Sequence, residues 1–504
     1  MSSASLAPFA LYALVGVLLA GLLMRLPIGF SMIAAGIAYL VVKQQDIGLA
    51  AEQIGNGLYN SYVLLAVPMF VFAANLMNAG TVSERLFDFC RILVGRLRGG
   101  LAQVDILVSV IFSGMSGSAI ADAAGPGLVT IRQMLKKPEY SRGFAGAVVV
   151  ASATLGPIIP PSIPMVIYGL VSGASVGALF LGGVLPGVLM ALSMMAVVHF
   201  IATRRHMPRE APVPLREWPQ VLWRGALPLS LPIVLLGGIY SGAFTPTEAA
   251  AVAAAHALIL STLVYRALDW RRFYAVVLES VRSSAVITLI LAGSFLLNYA
   301  FTAEGVPQAM AQWVDALQLG PTGFLLLVNL AFLLLGCILD VSVLLLVFVP
   351  MLLPAVKALG IDLVHFGVLV VLNMMIGLVT PPFGMLLFVT KALTGIPIGE
   401  MLREGWLFLA MLLALLLAMT FFPRSCCGCR RRWVTESRDE RWQGGRGGSG
   451  QLERRPDLPH PPPAAARRNA DGPRLPHRPR RQGVECRRGL CPPGRGHRGD
   501  RPRR

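Results

Sequence analysis

Charge is scarce in this chain. Only 14% of its 504 residues are Asp, Glu, Lys or Arg. Enzyme signatures are missing too: there is no HExxH pair, no P-loop ending in GK[ST] and no glycine-rich dinucleotide fingerprint. The chain is therefore not itself an ATPase, no enzymatic activity or cofactor is expected, and any uphill work must draw on an ion gradient or a partner. Through residue 423 the only cysteines are Cys90 and Cys337, each single in an apolar segment where a small core residue is the default. His199, His256 and His365 stand isolated, as packed or interfacial residues do, and not in ligand sets.

Apolar sequence is abundant. Hydrophobic residues make up 55% of the chain, and the mean hydropathy is +0.66. The runs are roughly 15–25 residues long, the pattern of a polytopic helical membrane protein. They fall approximately at 6–24, 28–42, 61–78, 104–120, 143–156, 161–173, 178–202, 226–240, 247–265, 284–300, 322–339, 341–354, 364–378, 382–393 and 402–422. The first run ends in Arg25-Leu26-Pro27, without a basic region before it or a small-residue cleavage pattern after it. It reads as a retained helix, not a signal peptide.

The net charge of +18 is concentrated at one end. Residues 424–504 hold 22 Arg, no Lys and 8 acids, a balance of +14 (22 − 8), leaving +4 for the rest. This stretch is rich in Pro and Gly and carries Cys426, Cys427, Cys429, Cys486 and Cys491. It lacks the composition to bury a core, so a disordered tail is expected. The cysteines lack the regular paired spacing of a zinc site. The Arg-Gly pieces admit RNA binding, but the abrupt change after Phe421-Phe422-Pro423 is better matched by GC-rich DNA read in a shifted frame.

Two Pro-Pro breaks interrupt the apolar segments: Gly156-Pro157-Ile158-Ile159-Pro160-Pro161 and Gly377-Leu378-Val379-Thr380-Pro381-Pro382. Backbone groups freed at such breaks cannot face lipid; they line a cavity or are buried in protein. Paired breaks in two halves of a chain point to a midplane binding site. The repeat extends further. Asp122 precedes Gly156 by 34 residues and Asp340 precedes Gly377 by 37, and Ser175-Val176-Gly177 and Pro397-Ile398-Gly399 follow at matching distances. The halves are offset by roughly 220 residues, about 61–202 and 284–422. Chance matching of Gly and Pro is the competing reading. Several segments near Ser113–Ser118, the breaks and Asp340 are too short to span, which suggests re-entrant hairpins and broken helices beside full spans.

Basic clusters at Arg91/Arg96/Arg98, Arg132/Lys136/Lys137/Arg142, Arg204/Arg205/Arg209 and Arg266/Arg271/Arg272 test the topology. If all are cytoplasmic, each interval must cross the membrane an even number of times. A hairpin at 104–130 returns to its own side, and 143–202 and 226–265 each offer two crossings.

The densest polar patch in apolar sequence runs from Ser113 through Ser116 and Ser118 to Asp122. Its carbonyls and hydroxyls are hard oxygen ligands of the kind Na+ takes. Asp122 supports an ion site or caps the next helix, while close helix packing through small residues is the alternative for the patch. Asp340 is either a structural cap or a supporting carboxylate. At the breaks, Pro160, Pro161, Pro381 and Pro382 remove donors and free carbonyls, so Gly377 and Thr380 offer oxygens to a cation. The half-helices starting near Ser162 and Phe383 turn their positive ends toward an anion; a simple kink is the plainer reading. The run Phe244-Thr245-Pro246-Thr247-Glu248 reads as a structural helix start capped by Thr247.

Taken together, residues 8–423 resemble the large membrane subunit of tripartite ATP-independent periplasmic (TRAP) transporters. The resemblance rests on Pro27-Ile28-Gly29-Phe30, Ala121-Asp122-Ala123-Ala124, Gly156 through Ser162, Phe244 through Ala251, and Thr380-Pro381-Pro382-Phe383-Gly384. It implies an all-α, inverted-repeat elevator fold with two hairpins and two broken helices held by a scaffold, in a bacterial inner membrane. It implies Na+ coupling, a small organic anion such as a C4-dicarboxylate or sugar acid, a periplasmic binding protein and a separate four-helix membrane subunit. It further implies that Ser113, Ser116 and Ser118 lie near the first hairpin tip with Asp122 behind, and that Gly336, Asp340, Gly377 and Thr380 serve the other half. Na+ would then sit on oxygens near Ser116, Gly336, Gly377 and Thr380. Two departures stand out: Ile120 where a small residue is usual, and the tail after Pro423. A stand-alone Na+/anion carrier, an ion channel and a non-transporting scaffold are the other readings.

Overall fold

The computed structural model describes residues 3–79, 82–207, 209–210, 214, 216 and 218–422. The expectations for the tail lie outside the described residues. Every regular element described is a helix. Seven are long and apolar enough to cross a bilayer: Tyr62–Ala79, Val176–Arg204, Trp218–Tyr240, Pro246–Val264, Trp270–Ala303, Val341–Ala358 and Ile398–Phe421. Large apolar side chains such as Leu19, Phe30, Ile233 and Leu334 are exposed, an exterior suited to lipid and unsuited to water.

The shorter apolar helices fall where the sequence is punctuated, and the same order of elements occurs twice. Gly100–Ser116 ends at a left-handed glycine, Gly117; Ser118 caps a short helix that passes through a π-helical turn, Ala123–Gly127, into Leu128–Met134. Arg142–Ala153 leads to the first break, Ile163–Ser172 follows, and Gly173 turns the chain into Val176–Arg204. In the second half Pro321–Gly336 is followed by Asp340 as cap, a π-helical turn Leu344–Phe348, Val349–Ala358, then Leu363–Val379. Met385–Thr394 follows the second break, and Gly395 turns the chain into Ile398–Phe421. The Pro160-Pro161 and Pro381-Pro382 bonds are both cis.

The halves interlock. Arg142–Ala153 packs on Ile398–Phe421, and Leu363–Val379 packs on Ile163–Ser172 and Val176–Arg204. Gly367 admits the Tyr168 ring, whose hydroxyl donates to the Leu363 carbonyl at 2.7 Å. Outside this bundle the 34-residue helix Trp270–Ala303 packs along Ile28–Val42, Gly48–Tyr59 and Ala66–Ala79. Gly29 and Gly36 allow that approach: a Cβ on Gly29 would lie 2.7 Å from Leu289 Cγ, and one on Gly36 would strike Leu296.

The basic clusters fall at helix ends and in loops, where the charge argument requires them. Arg205 pairs with Glu404 at 2.6 Å, and Lys137 with Glu210 at 2.5 Å. Helices Gly48–Tyr59, Val82–Val94 and Val306–Ala316 escaped the search for apolar runs because each buries one face only. Trp270–Ala303 begins about 14 residues before the apolar run at 284, since Asp269 caps its polar first turns.

One expectation needs correction. The cap of Pro246–Ile259 is Thr245, not Thr247. Proline occupies the first helical position, so the preceding residue takes the cap, and Thr245 forms a capping box with Glu248, whose carboxylate accepts from Thr245 N at 2.7 Å. Thr245→Ala therefore costs about 1 kcal/mol, seen as a lowered melting temperature of the purified protein. Thr247→Ala leaves it within error.

Candidate ion and substrate site at the helix breaks

Each half brings its hairpin tip against its own break at backbone distance. In the first, helix Gly100–Ser116 stops because Gly117 adopts φ +62°, a conformation that a side chain rarely accepts. Ser118 then caps the next helix by accepting from Ala121 N at 3.4 Å. A Cβ on Gly117 would strike the Pro161 carbonyl oxygen and lie 3.2 Å from Ile163 N. A Cβ on Gly156 would lie 3.0 Å from the Ser118 carbonyl carbon and 3.2 Å from Ala119 N. The two irregular segments thus cross with no room for side chains.

Ser113 Oγ is engaged within its own helix, donating to Ser109 O at 2.5 Å. Ser116 Oγ is fully buried and meets no protein partner among the described residues. Ser162 Oγ closes the break by donating to Pro157 O and accepting from Met165 N at 3.2 Å. Pro160 and Pro161 are buried.

The second half builds the same crossing from Gly336 and Gly377. A Cβ on Gly377 would lie 2.8 Å from the Gly336 carbonyl carbon and 2.9 Å from its oxygen. Thr380 leaves the helical conformation, with φ −95° and ψ 132°; its hydroxyl donates to Ile376 O at 2.6 Å, and its carbonyl accepts from Gly384 N at 3.1 Å. Asp340 Oδ2 accepts from Ser342 N at 2.9 Å, which makes this carboxylate a helix cap.

Contacts between the halves run through the segments beside each crossing. Ile163–Ser172, beyond the first break, packs on 341–348 of the second hairpin arm. Met385–Thr394, beyond the second, packs on 119–134 of the first. The symmetry is incomplete in exposure: Pro381, Pro382 and Phe383 are exposed, whereas Pro160 and Pro161 are not. An apolar cavity of about 230 Å³ opens beside the second break, lined among others by Ala147, Val379, Pro381 and Trp406.

Three expectations shift here. The second half-helix starts at Met385, not near Phe383, because the turn after cis Pro382 uses Phe383 and Gly384. The two helix N-termini also differ: a serine side chain caps Ile163–Ser172, but no side chain caps Met385–Thr394. Asp122 does not cap the helix that follows it: it precedes the π-helical turn Ala123–Gly127 without a side-chain cap bond, and it is buried behind the tip. Gly117, which the crossing needs as much as Gly156, carried a signal in its place between two serines of the polar patch. Among the described residues no three His, Cys, Asp or Glu side chains converge, so the donors gathered at the crossings are backbone and hydroxyl oxygens, suited to a hard cation.

Hairpin tips crossing broken helices inside an all-helical, membrane-spanning bundle define a secondary-transporter class of fold. The YdaH transporter of Alcanivorax borkumensis shares it with a TM-score of 0.56, over 73% of this chain and 87% of that one, at 14% sequence identity. At the level of sequence the assignment is finer. Residues 15–425 match the model of the tripartite ATP-independent periplasmic transporter DctM component, and the chain belongs to that family. It is 41% identical over 416 residues to the sialic acid TRAP transporter large permease protein SiaM of Vibrio cholerae, spanning 82% of this chain and 96% of the relative. It is also 41% identical over 362 residues to the C4-dicarboxylate large permease DctM of Pseudomonas aeruginosa (72% and 84%). Identity to the 2,3-diketo-L-gulonate large permease YiaN of Escherichia coli is 32% over 415 residues (82% and 97%). The chain is thus an inner-membrane TRAP large permease subunit and not an enzyme.

Proposed function

We propose that this chain is the translocating subunit of a Na+-coupled symporter for a small organic anion, delivered by a periplasmic binding protein. A four-helix small subunit completes its membrane complex. The permease occupies residues 1–423, with repeats at about 61–202 and 284–422. The observation that carries this reading is the pair of backbone crossings, Ser118 on Gly156 and Gly336 on Gly377. Each sets carbonyl oxygens of a hairpin tip against the backbone of a broken helix, and the oxygens near Ser116 and Ser118 on one side and near Gly336, Gly377 and Thr380 on the other would be the ligands for Na+.

Na+ bound at the crossings would hold both tips closed and favour an anion between them. The first turn of Met385–Thr394, whose backbone donors no side chain caps, is the end suited to a carboxylate. The hairpins and broken helices would then move as one body past the scaffold of Trp270–Ala303 and its neighbours, in elevator fashion. The acids named for the relatives (sialic acid, C4-dicarboxylate and diketogulonate) support an organic anion as substrate, with the binding protein selecting which.

Uptake into proteoliposomes containing the chain and its small subunit tests this reading. With binding protein and acid outside, an inward Na+ gradient drives accumulation and a matched K+ gradient does not. Equal Na+-driven uptake without binding protein would instead make the chain a stand-alone carrier. Flux without saturation or Na+ dependence would make it a channel, and no flux at all a scaffold.

A further inference from the structure

Behind the first hairpin lies a group of polar side chains that neither crossing uses. Asp105, in helix Gly100–Ser116, is fully buried, and Asp122 is 1% exposed. Ser152 Oγ, from the helix before the first break, donates to Asp105 Oδ2 at 2.7 Å. Asp105 Oδ1 and both carboxylate oxygens of Asp122 meet no hydrogen-bond donor among the described residues. Asp122 faces Asp105 and Ser109, Asp105 faces Thr130, and no basic side chain stands among the groups facing either carboxylate.

The other half joins its hairpin arm to its broken helix without charge. Asn373 lies 221 residues after Ser152, as Gly377 lies 221 after Gly156, and Asn329 stands in the hairpin arm that leads to Gly336. Asn373 Nδ2 donates to Asn329 O at 2.8 Å and to Asn329 Oδ1 at 3.2 Å, so the same strut joins hairpin arm to broken helix through neutral amides. A strut between hairpin arm and broken helix therefore does not require a carboxylate. Two carboxylates buried together in a membrane protein, without a base, are unfavourable in their charged form unless a proton or a metal cation lies between them.

We propose that Asp105 and Asp122, with the hydroxyls of Ser109, Thr130 and Ser152, form a Na+ site distinct from the two hairpin crossings. All five side chains offer hard oxygens, which excludes the soft-ligand metals. Full burial disfavours Mg2+, which gives up its hydration reluctantly, and with Na+ bound one shared proton completes the charge balance of the two carboxylates. The site ties the returning arm of the first hairpin to the helix that precedes the break, so filling it stiffens one hairpin and not the other. Its role in coupling rests on the Na+-symport reading; its occupancy does not.

The test is equilibrium binding of radioactive Na+ to the purified permease complex in lipid nanodiscs, with K+ as control, beside Na+-driven uptake. Asp105→Asn removes the charge and keeps the size of the side chain. It is expected to lower bound Na+ by one per complex, lower the Hill coefficient of Na+ in uptake by about one, and shrink the thermal stabilisation that Na+ confers. Asp122→Asn should remove the same ion, which guards against a folding defect special to position 105. Ser152→Ala removes the strut but keeps both charges, and should retain the full Na+ count with at most a few-fold weaker affinity. An unchanged count in both Asn variants overturns the proposal. So does an unchanged count with lost pH dependence of uptake, which would mark a shared proton instead. A wild-type complex that transports without any Na+ requirement would refute symport, a result separate from the binding count.

Discussion

Gly377→Ala is expected to abolish Na+-driven uptake while leaving insertion and yield of the protein unchanged. The helix holding Gly377 accepts alanine without backbone strain, so the effect is steric and local. The added Cβ would lie 2.8–3.0 Å from the Gly336 carbonyl carbon, oxygen and Cα, closer than real Cβ contacts come. All three obstacles are main-chain atoms, which cannot rotate away as a flexible side chain would. The tip and the break must separate, by an amount approaching 1 Å, and a displacement of that size in a catalytic geometry costs on the order of 100-fold. Gly336→Ala is the built-in control. Its Cβ would meet only Gly377 Cα at 3.6 Å and Leu344 Cδ1 at 3.8 Å, ordinary van der Waals contacts. Uptake by that variant should stay within a few-fold of wild type. Equal damage from the two substitutions would mean that glycine is needed there for some reason other than the closeness of the crossing.

The second large effect is expected at the seam between the halves. A Cβ on Gly367 would lie 2.6 Å from Tyr168 Cδ1 and 2.8 Å from its Cζ, and Tyr168 is fully buried and hydrogen-bonded to Leu363 O. The ring has nowhere to go, so Gly367→Ala overpacks the core, at about 1–3 kcal/mol. Its apparent melting temperature should fall by roughly 5 °C, with a loss of uptake. Tyr168→Leu alone loses a hydrogen bond and some packing. Combined with Gly367→Ala it should recover much of the loss, giving a coupling of about 1 kcal/mol or more. Tyr168→Phe keeps the ring and should not rescue. Additive losses in the Gly367→Ala/Tyr168→Leu pair would show that the two residues do not meet in the working protein.

Much of this was legible in the chain because it depends on local chemistry. Pro160-Pro161 and Pro381-Pro382 cannot continue a helix whatever surrounds them. Runs of apolar residues longer than about 18 read as spans without any knowledge of neighbours, and the doubled order of acid, glycine and proline matches an order of elements that occurs twice. The misses have local causes as well. Thr245 and Thr247 are both cap-forming residues, and Pro246 at the first helical position is what gives the cap to Thr245. Val82–Val94 and Val306–Ala316 are amphipathic, so a search for continuous apolar runs passed over them.

Asp105 is a different kind of miss. It stands in apolar sequence as plainly as Asp122, but it has no glycine or serine beside it to suggest an irregular backbone. Its interest comes from Ser152, 47 residues away, and from Asn329 and Asn373, which make the neutral version of the same strut. The exposure of Pro381 and burial of Pro160 were equally invisible, since the two breaks have nearly the same composition.

The sequence by itself determined that this protein is a helical membrane chain broken twice by proline in similar surroundings, because helix length, helix breaking and hydropathy are properties of neighbouring residues. Only the tertiary structure decided that Gly156 lies against Ser118 and Gly377 against Gly336, that each half-helix packs on the other half's hairpin arm, and that Asp105 faces Asp122. Those meetings join residues tens to hundreds of positions apart, and close packing of the whole bundle, not any local preference, sets which backbones touch.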